Sequence, residues 1–333
     1  MIKLANYLTT QKAFRTLLSS AREGNFSQAY IFEGVKGVGK YTAARIFANA
    51  IHCTGEVKPC GECPDCKKHA ASTHSDLIII GGEDTITVDD IRAMNEELYI
   101  RPALSEKKIC IIRGADNMND GAQNALLKSF EEPPSYAVII LLSENEKNLL
   151  QTIRSRGTKV VFEPFSEKEI NEYMQRQYPL KKDLLPFVAL YSGGVIGRAI
   201  AICEDEEFFV TRKKMFEAVV GLADNRLSII KIADLFGVKT KGSYANCDLY
   251  FDLFTSFMRD AMAIKVGGRV INQDTLALIE SFSSKVPLSS VLSIIERAAL
   301  TRSQLNKSMN YELWITNMLI NCWEDIHGKG SRS

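Results

Sequence analysis

The chain has 333 residues, too many for one core, and its 46% hydrophobic and 24% charged content is that of a folded protein of two or three domains. Its 41 basic and 40 acidic side chains leave a formal net charge of +1. That balance argues neither for nor against nucleic acid, but it shows none of the strong basic field usual in proteins that hold DNA by their own surface. Any DNA contact is therefore expected to be shared among subunits.

No run of 18 apolar residues occurs, and the stretch 4–11 is too polar for the core of a signal peptide. No membrane span is expected, and the cytoplasm is the expected compartment. Leu8, Phe14, Leu17 and Leu18 fall on one face of a first helix. Short β-branched runs at 29–32, 77–80, 109–112, 138–142 and 159–162 then alternate with helical patterns at 41–51, 88–99 and 120–130. This is the order of a parallel sheet with crossover helices, and the unbroken apolar runs suit strands buried on both faces. Pro133 and Pro134 stop the third of these helices.

Beyond Pro164 the pattern is helical only, broken by Pro179, Pro186, Gly193 and Gly194. Ser166 followed by Glu169 reads as a capping box. A second boundary falls near 203–207. Amphipathic segments follow at 213–222, 226–235, 248–264, 274–283, 289–300 and 311–323, before a polar, frayed tail at 328–333. The expected division is 1–165, 166–207 and 208–333.

Gly34, Gly37, Gly39 and Lys40 follow the first strand and open a helix, in the spacing G-x-x-x-x-G-K. Backbone N–H groups of such a loop wrap a phosphate, and the lysine reaches the outer phosphates. The residue that should bring a magnesium-binding hydroxyl is Tyr41, and Thr42 lies one position late, on a different side of the helix. Where the third strand should end in acids stand Arg113 and Gly114, with only Asp116 beyond. The loop is a phosphate loop by origin, without the groups for magnesium-dependent hydrolysis. Whether nucleotide still binds is left open.

Cys53, Cys60, Cys63 and Cys66 place four thiols within fourteen residues, with Pro59, Gly61 and Pro64 favouring tight turns. In a reducing compartment this spacing reads as a closed tetrahedral zinc site rather than as disulfides. His52, His69 and His74 nearby are read as neutral surface or packing residues. Cys110, Cys203, Cys247 and Cys322 are read as isolated buried thiols.

The stretch 28–34 leading into the loop, the four-cysteine insertion, the run Asn124 to Pro134 ending in Glu-Glu-Pro-Pro, and Thr152 to Arg156 together resemble the bacterial clamp-loader subunits of the AAA+ superfamily, its gamma/tau and delta prime group. The likeness is strong to about residue 200 and weaker beyond. It implies an α/β AAA+ P-loop domain with a five-stranded parallel sheet, a small helical lid domain, and an all-α collar domain that joins subunits. It implies gamma/tau and delta subunits as partners, with the sliding clamp and primed DNA met through the complex during replication.

By the same resemblance Arg156 is an arginine finger offered to a neighbour's ATP, although Gly157 stands where the family has cysteine. Arg198 resembles the sensor 2 arginine of the lid, and residues 143–145 depart from the usual sensor 1. An intact finger beside a broken acidic strand end fits the non-hydrolysing branch of the group. Three other readings stay open: an active gamma-type ATPase using Asp116 or Glu131, a zinc-bearing interaction module outside replication, and a direct nucleic-acid binder. ATP hydrolysis by the chain alone, failure to assemble with gamma/tau and delta, or tight salt-dependent DNA binding would favour each in turn.

Overall fold

A computed structural model describes residues 8–179, 184–238, 247–305 and 310–328. The expectations for residues 4–7 and for the tail beyond 328 lie outside these. The described residues form two compact units: one from those within 1–177 and 192–200, the other from those within 178–191 and from 201 onward.

The first unit opens with α1 (Lys12–Glu23), which buries Phe14, Leu17, Leu18 and Ala21 and ends at a left-handed Gly24. Five parallel strands follow: β1 (Ala29–Glu33), β2 (Leu77–Gly81), β3 (Lys108–Arg113), β4 (Ala137–Ser143) and β5 (Thr158–Val161), in the order β2-β3-β4-β1-β5. β4 is buried at all seven positions, and β3 at every position but Arg113, because helices cover both faces of the sheet centre. Truncating a central side chain such as Ile139 to alanine would cost about 2–5 kcal/mol.

The crossover helices are α2 (Lys40–His52), α3 (Pro64–Ala71), α4 (Val88–Tyr99), α5 (Asp120–Glu131) and the short α6 (Gln151–Arg154). On one face of the sheet, Ile31, Cys110, Ile112, Ile139 and Leu141 meet Ile91, Met94, Leu126 and Phe130. The other face carries Tyr30, Phe32, Phe47 and Phe162 in edge-on and tilted ring pairs 5.2–6.5 Å apart. α4 starts at a Thr87–Asp90 capping box and α5 at an Asn119 cap. The run read as turns around Pro64 contains a helix, α3: Pro64 sits at its first position and the Cys63 side chain caps it.

The register aligns Glu33 with Ser143 and Arg113 with Leu142. The C-terminal ends of β1, β3 and β4 therefore open on one rim of the sheet, where ligands bind in open α/β folds. After β5, α7 (Glu167–Gln177) starts with the expected box, Ser166 Oγ lying 2.7 Å from Glu169 Oε2 while the Glu169 N–H returns to Ser166 Oγ at 3.3 Å. α9 (Ile196–Glu204) begins in this unit and ends in the second.

The second unit is helical: α8 (Leu185–Tyr191), α10 (Phe208–Gly221), α11 (Ser228–Leu235), α12 (Cys247–Val266), α13 (Leu276–Lys285), α14 (Leu288–Gln304) and α15 (Tyr311–His327). No strand occurs beyond Val161 among the described residues. The core holds Phe216, Phe251, Phe254, Phe257 and Phe282, with Phe257 packed edge-on against both Phe216 and Phe282. Arg212 is buried against the Phe187 ring at 3.9 Å, and its charge is met by both Asp274 carboxylate oxygens at 2.7 Å. Cys110, Cys203 and Cys322 are buried as expected, whereas Cys247 is only half-buried, because it opens α12 and is not enclosed on all sides. No single helix among the described residues is long and apolar enough to cross a membrane.

Candidate functional site

β1 delivers the chain to the sheet rim at Glu33, and the phosphate loop turns back into α2 at Lys40. Gly37 and Gly39 have φ of +82° and +111°, and a Cβ on Gly37 would lie 2.9 Å from the Val195 side chain. The start of α9 sits directly on this loop, the Gly197 N–H donating to the Gly37 carbonyl at 2.9 Å. Together they wall a cavity of about 360 Å³ lined by Lys36, Gly37, Gly39, Lys40, Tyr41 and Thr42 of the loop side, Glu83, Arg113, Gly114 and Glu144 from the strand ends, and Ile196, Gly197 and Ile200. Thr42, expected on another side of the helix, lines the cavity beside Tyr41. Arg198 is exposed and its side chain forms no part of this wall.

The departures from a working nucleotide site are coupled. Arg113, at the end of β3 where an acid should stand, lays its guanidinium 4.7 Å from the centre of the Tyr41 ring. The two replacements, 72 positions apart in the chain, are thus partners in a cation–π contact. Lys40 is turned back into its own loop, donating to the Gly34 carbonyl and, at 3.1 Å, to that of Val35. Burial pushes its ammonium below the usual lysine value, with Glu144 and Asp116 working in the opposite direction. Asp116 does what a structural acid would do: its Oδ2 accepts the Glu144 N–H at 3.2 Å. Glu83, which sequence reasoning missed, lies across the cavity mouth and pairs with Lys36 at 2.6 Å.

Arg156 lies in the turn between α6 and β5, exposed and apart from the cavity wall. Its Nε is 3.1 Å from Glu131 Oε1, and Nη1 donates to the Thr152 carbonyl at 2.9 Å. Glu131 belongs to the Glu-Glu-Pro-Pro run, so two stretches that carry the family resemblance meet here. Gly157 has a packing reason: a Cβ there would fall 2.6 Å from Ile31 Cγ1 and 3.1 Å from the Phe130 ring.

The four cysteines converge. Cys53 follows α2, Cys66 lies in α3, and the four Sγ atoms are all within 4.8 Å of one another, with Cys60–Cys66 at 3.9 Å and Cys53–Cys63 at 4.0 Å. These spans are far beyond a disulfide bond and near the ~3.8 Å between thiolates on one tetrahedral ion with 2.3 Å bonds. Four backbone N–H groups point at the sulfurs at 3.3–3.4 Å, from Gly55, Cys60, Cys63 and Cys66. Such donors favour thiolate. Burial pushes the Cys63 thiol up, but the N–H donors of Cys66 and Thr54 outweigh it and bring it down to about 6. Cys53 and Cys66 are pushed up by burial. The donor set fits a metal ion, and all four ligands come from the protein. His52, His69 and His74 are not surface residues: all three are buried and packed against one another beside this module.

Fold and site define the class: an AAA+ clamp-loader type domain, with Tyr41 and Arg113 meeting at the rim of its parallel sheet. Residues 9–166 match the family described as DNA polymerase III, delta subunit, and residues 206–324 match the C-terminal family of the same subunit. Along the chain, DNA polymerase III subunit delta' of Bacillus subtilis is 28% identical over 90% of this chain and 92% of that one. The delta' subunit of Escherichia coli is 24% identical over 92% of both. The tau subunit of B. subtilis is 31% identical, but over only 57% of this chain and 35% of its own length. The chain belongs to the DNA polymerase III delta-type clamp-loader subunits, in the delta prime group.

Proposed function

We propose that this protein is a stator of a sliding-clamp loader: it binds gamma/tau and delta subunits, does not hydrolyse ATP itself, and supplies Arg156 to the ATP site of a gamma/tau neighbour. The observation that carries this reading is the pairing of Arg113 with Tyr41 at 4.7 Å, which puts a cation and a ring where a magnesium site needs a hydroxyl and a carboxylate. With Lys40 held by Gly34 and Val35, the loop is internally satisfied. ATP or ADP could enter the cavity only by displacing those bonds, so Gly34, Gly37, Gly39, Lys40 and Tyr41 form a degenerate nucleotide site.

In the assembled ring Arg156 stabilises the charge that develops on the neighbour's transferring phosphoryl group, a role suited to a guanidinium acting in trans. The clamp and primed DNA are met through the complex, in keeping with the balanced charge. Residues 1–165 serve as the AAA+ domain, 166–207 as the lid and 208–333 as the collar that joins subunits, all in the cytoplasm. The metal of the four-thiol module is zinc: Cys53, Cys60, Cys63 and Cys66 would hold it, closing all four positions. When bound it supplies cross-linking of α2, the 53–66 insertion and α3, not catalysis.

ATP turnover by the purified chain alone, compared with its mixture with gamma/tau and delta, tests the proposal. The expected result is no turnover alone and DNA-stimulated turnover in the mixture. Turnover by the chain alone that is lost in Lys40→Ala would show a motor subunit instead.

A further inference from the structure

Beside the four thiols lies a second group of donors that the function above does not use. His52 ends α2, His69 lies in α3, and His74 stands in the loop before β2; each is less than 5% exposed. Their rings form a triangle with centres 4.3, 4.7 and 5.0 Å apart, and one nitrogen from each ring lies within 4.8 Å of the others.

Hydrogen bonds fix the tautomers. A carbonyl can only accept, so His52 Nε2 carries its proton and donates it to the Lys107 carbonyl at 3.0 Å. The Nδ1 lone pair of His52 therefore points inward, where His69 Nε2 stands at 2.9 Å. His69 Nδ1 is then left buried with no partner at all. His74 takes the Asp76 N–H on Nδ1 at 3.2 Å and turns Nε2 to the Asp65 carboxylate and the Ser105 hydroxyl, each at 3.3 Å.

We propose that His52, His69 and His74, with Asp65 as the fourth donor, form a second metal site for a divalent ion of the zinc class. Nitrogen and carboxylate donors suit such ions, and the 2.9 Å and 3.3 Å separations approach the ~3.3 Å between ligands of one tetrahedral ion with bonds of about 2.0–2.1 Å. The His52 Nε2–H bond to a backbone carbonyl is the outer bond that a metal-ligating imidazole ordinarily makes. On binding, His52 keeps its proton on Nε2, while His69 and His74 move theirs from Nε2 to Nδ1, so no proton is lost from the rings. Binding exchanges the His69–His52 hydrogen bond, the His74 Nε2 bonds to Asp65 and Ser105, and the Asp76 N–H contact to His74 Nδ1 for coordination. The frame is shared with the first site: Cys53 follows His52, and α3 carries Cys66 and His69 on one short helix.

The test is metal stoichiometry of the full chain, stripped with chelator and titrated with Co²⁺, then with Zn²⁺. The expected result is two equivalents: one with thiolate charge-transfer bands, and one with only the weak visible bands of nitrogen and oxygen ligands. His69→Asn with His74→Asn should abolish the second equivalent and leave the thiolate bands intact, with folding checked by circular dichroism. Asp65→Asn, which leaves the rings in place, should weaken the second equivalent by tenfold or more. A single equivalent in the unaltered chain would overturn the proposal and make the histidines a hydrogen-bonded brace. A second equivalent indifferent to all three substitutions would overturn it as well, by placing that ion elsewhere.

Discussion

The phosphate loop and the cysteine module stand at opposite ends of α2, and they differ in what their polar groups do. At the loop the donors are consumed internally: Lys40 bonds its own loop, Arg113 covers Tyr41, and Lys36 pairs with Glu83. At the module the donors stay pointed at a common centre, with N–H groups supporting the sulfurs of Cys53, Cys60 and Cys63. A site that has lost its ligand tends to satisfy its polar groups within the protein, since an unpaired buried group is costly. A site that keeps a ligand leaves its groups converging. Under the proposed function, the contrast separates a frame kept for its shape from a centre kept for its chemistry.

The largest effect that bears on this contrast concerns Arg156, the finger of the proposed function. Arg156→Ala should lower turnover at the neighbour's ATP site on the order of 10³-fold in the reconstituted loader, while melting temperature and assembly stay unchanged. Unchanged turnover in a single-turnover assay would remove the finger assignment. Next comes the module. Cys63→Ser should release its metal and lower the stability of the first unit on the order of 4 kcal/mol, read by denaturant titration with metal analysis. Metal retained at full stoichiometry would mean that the four thiols are not its ligands.

A smaller effect concerns Gly157, the position where the family motif is not kept. Gly157→Cys should cost about 1–3 kcal/mol, because its Cβ meets Ile31 and Phe130 in the sheet core. An unaltered unfolding midpoint would show that the core yields freely there, and that the glycine has no packing cause.

These comparisons also show what the sequence could and could not convey. The strands and the loop were legible because their signals are local: apolar runs, glycine spacing and capping residues. The helix α3 was not, because Pro59, Gly61 and Pro64 read as turns until the first-position role of Pro64 is seen. The Arg113–Tyr41 contact was out of reach, since each departure was visible but only the adjacency of β3 and α2 pairs them. That the histidines pack together rather than face solvent was out of reach for the same reason. Spaced at 52, 69 and 74, they carry no ligand spacing, and it is the packing of α2, α3 and the β2 approach that brings the rings together. Thr42 was placed by idealised helix geometry, yet the opening turn of α2 leaves it on the cavity wall.

The least expected effect lies at the root of the loop and asks whether its frame is held by charge. Lys159 bridges Glu33 at 2.7 Å and Glu146 at 2.8 Å, tying β5 to the end of β1. The hydrogen bond from Lys159 holds the Glu33 carboxyl below its usual value, against a weaker push from burial. A carboxyl whose folded value is depressed binds protons more readily in the unfolded chain. Its stabilisation is therefore complete above the unfolded value of about 4.3 and is lost as pH falls through the folded one. The partners are partly exposed, so Lys159→Ala should cost only about 0.2–1 kcal/mol at neutral pH. The difference from the unaltered chain should shrink below about pH 4, in urea titrations run across that range. A difference that stays constant as the carboxylates protonate would mean that Lys159 acts through its aliphatic stem along β5. The root of the loop would then keep its shape by packing rather than by this ion pair.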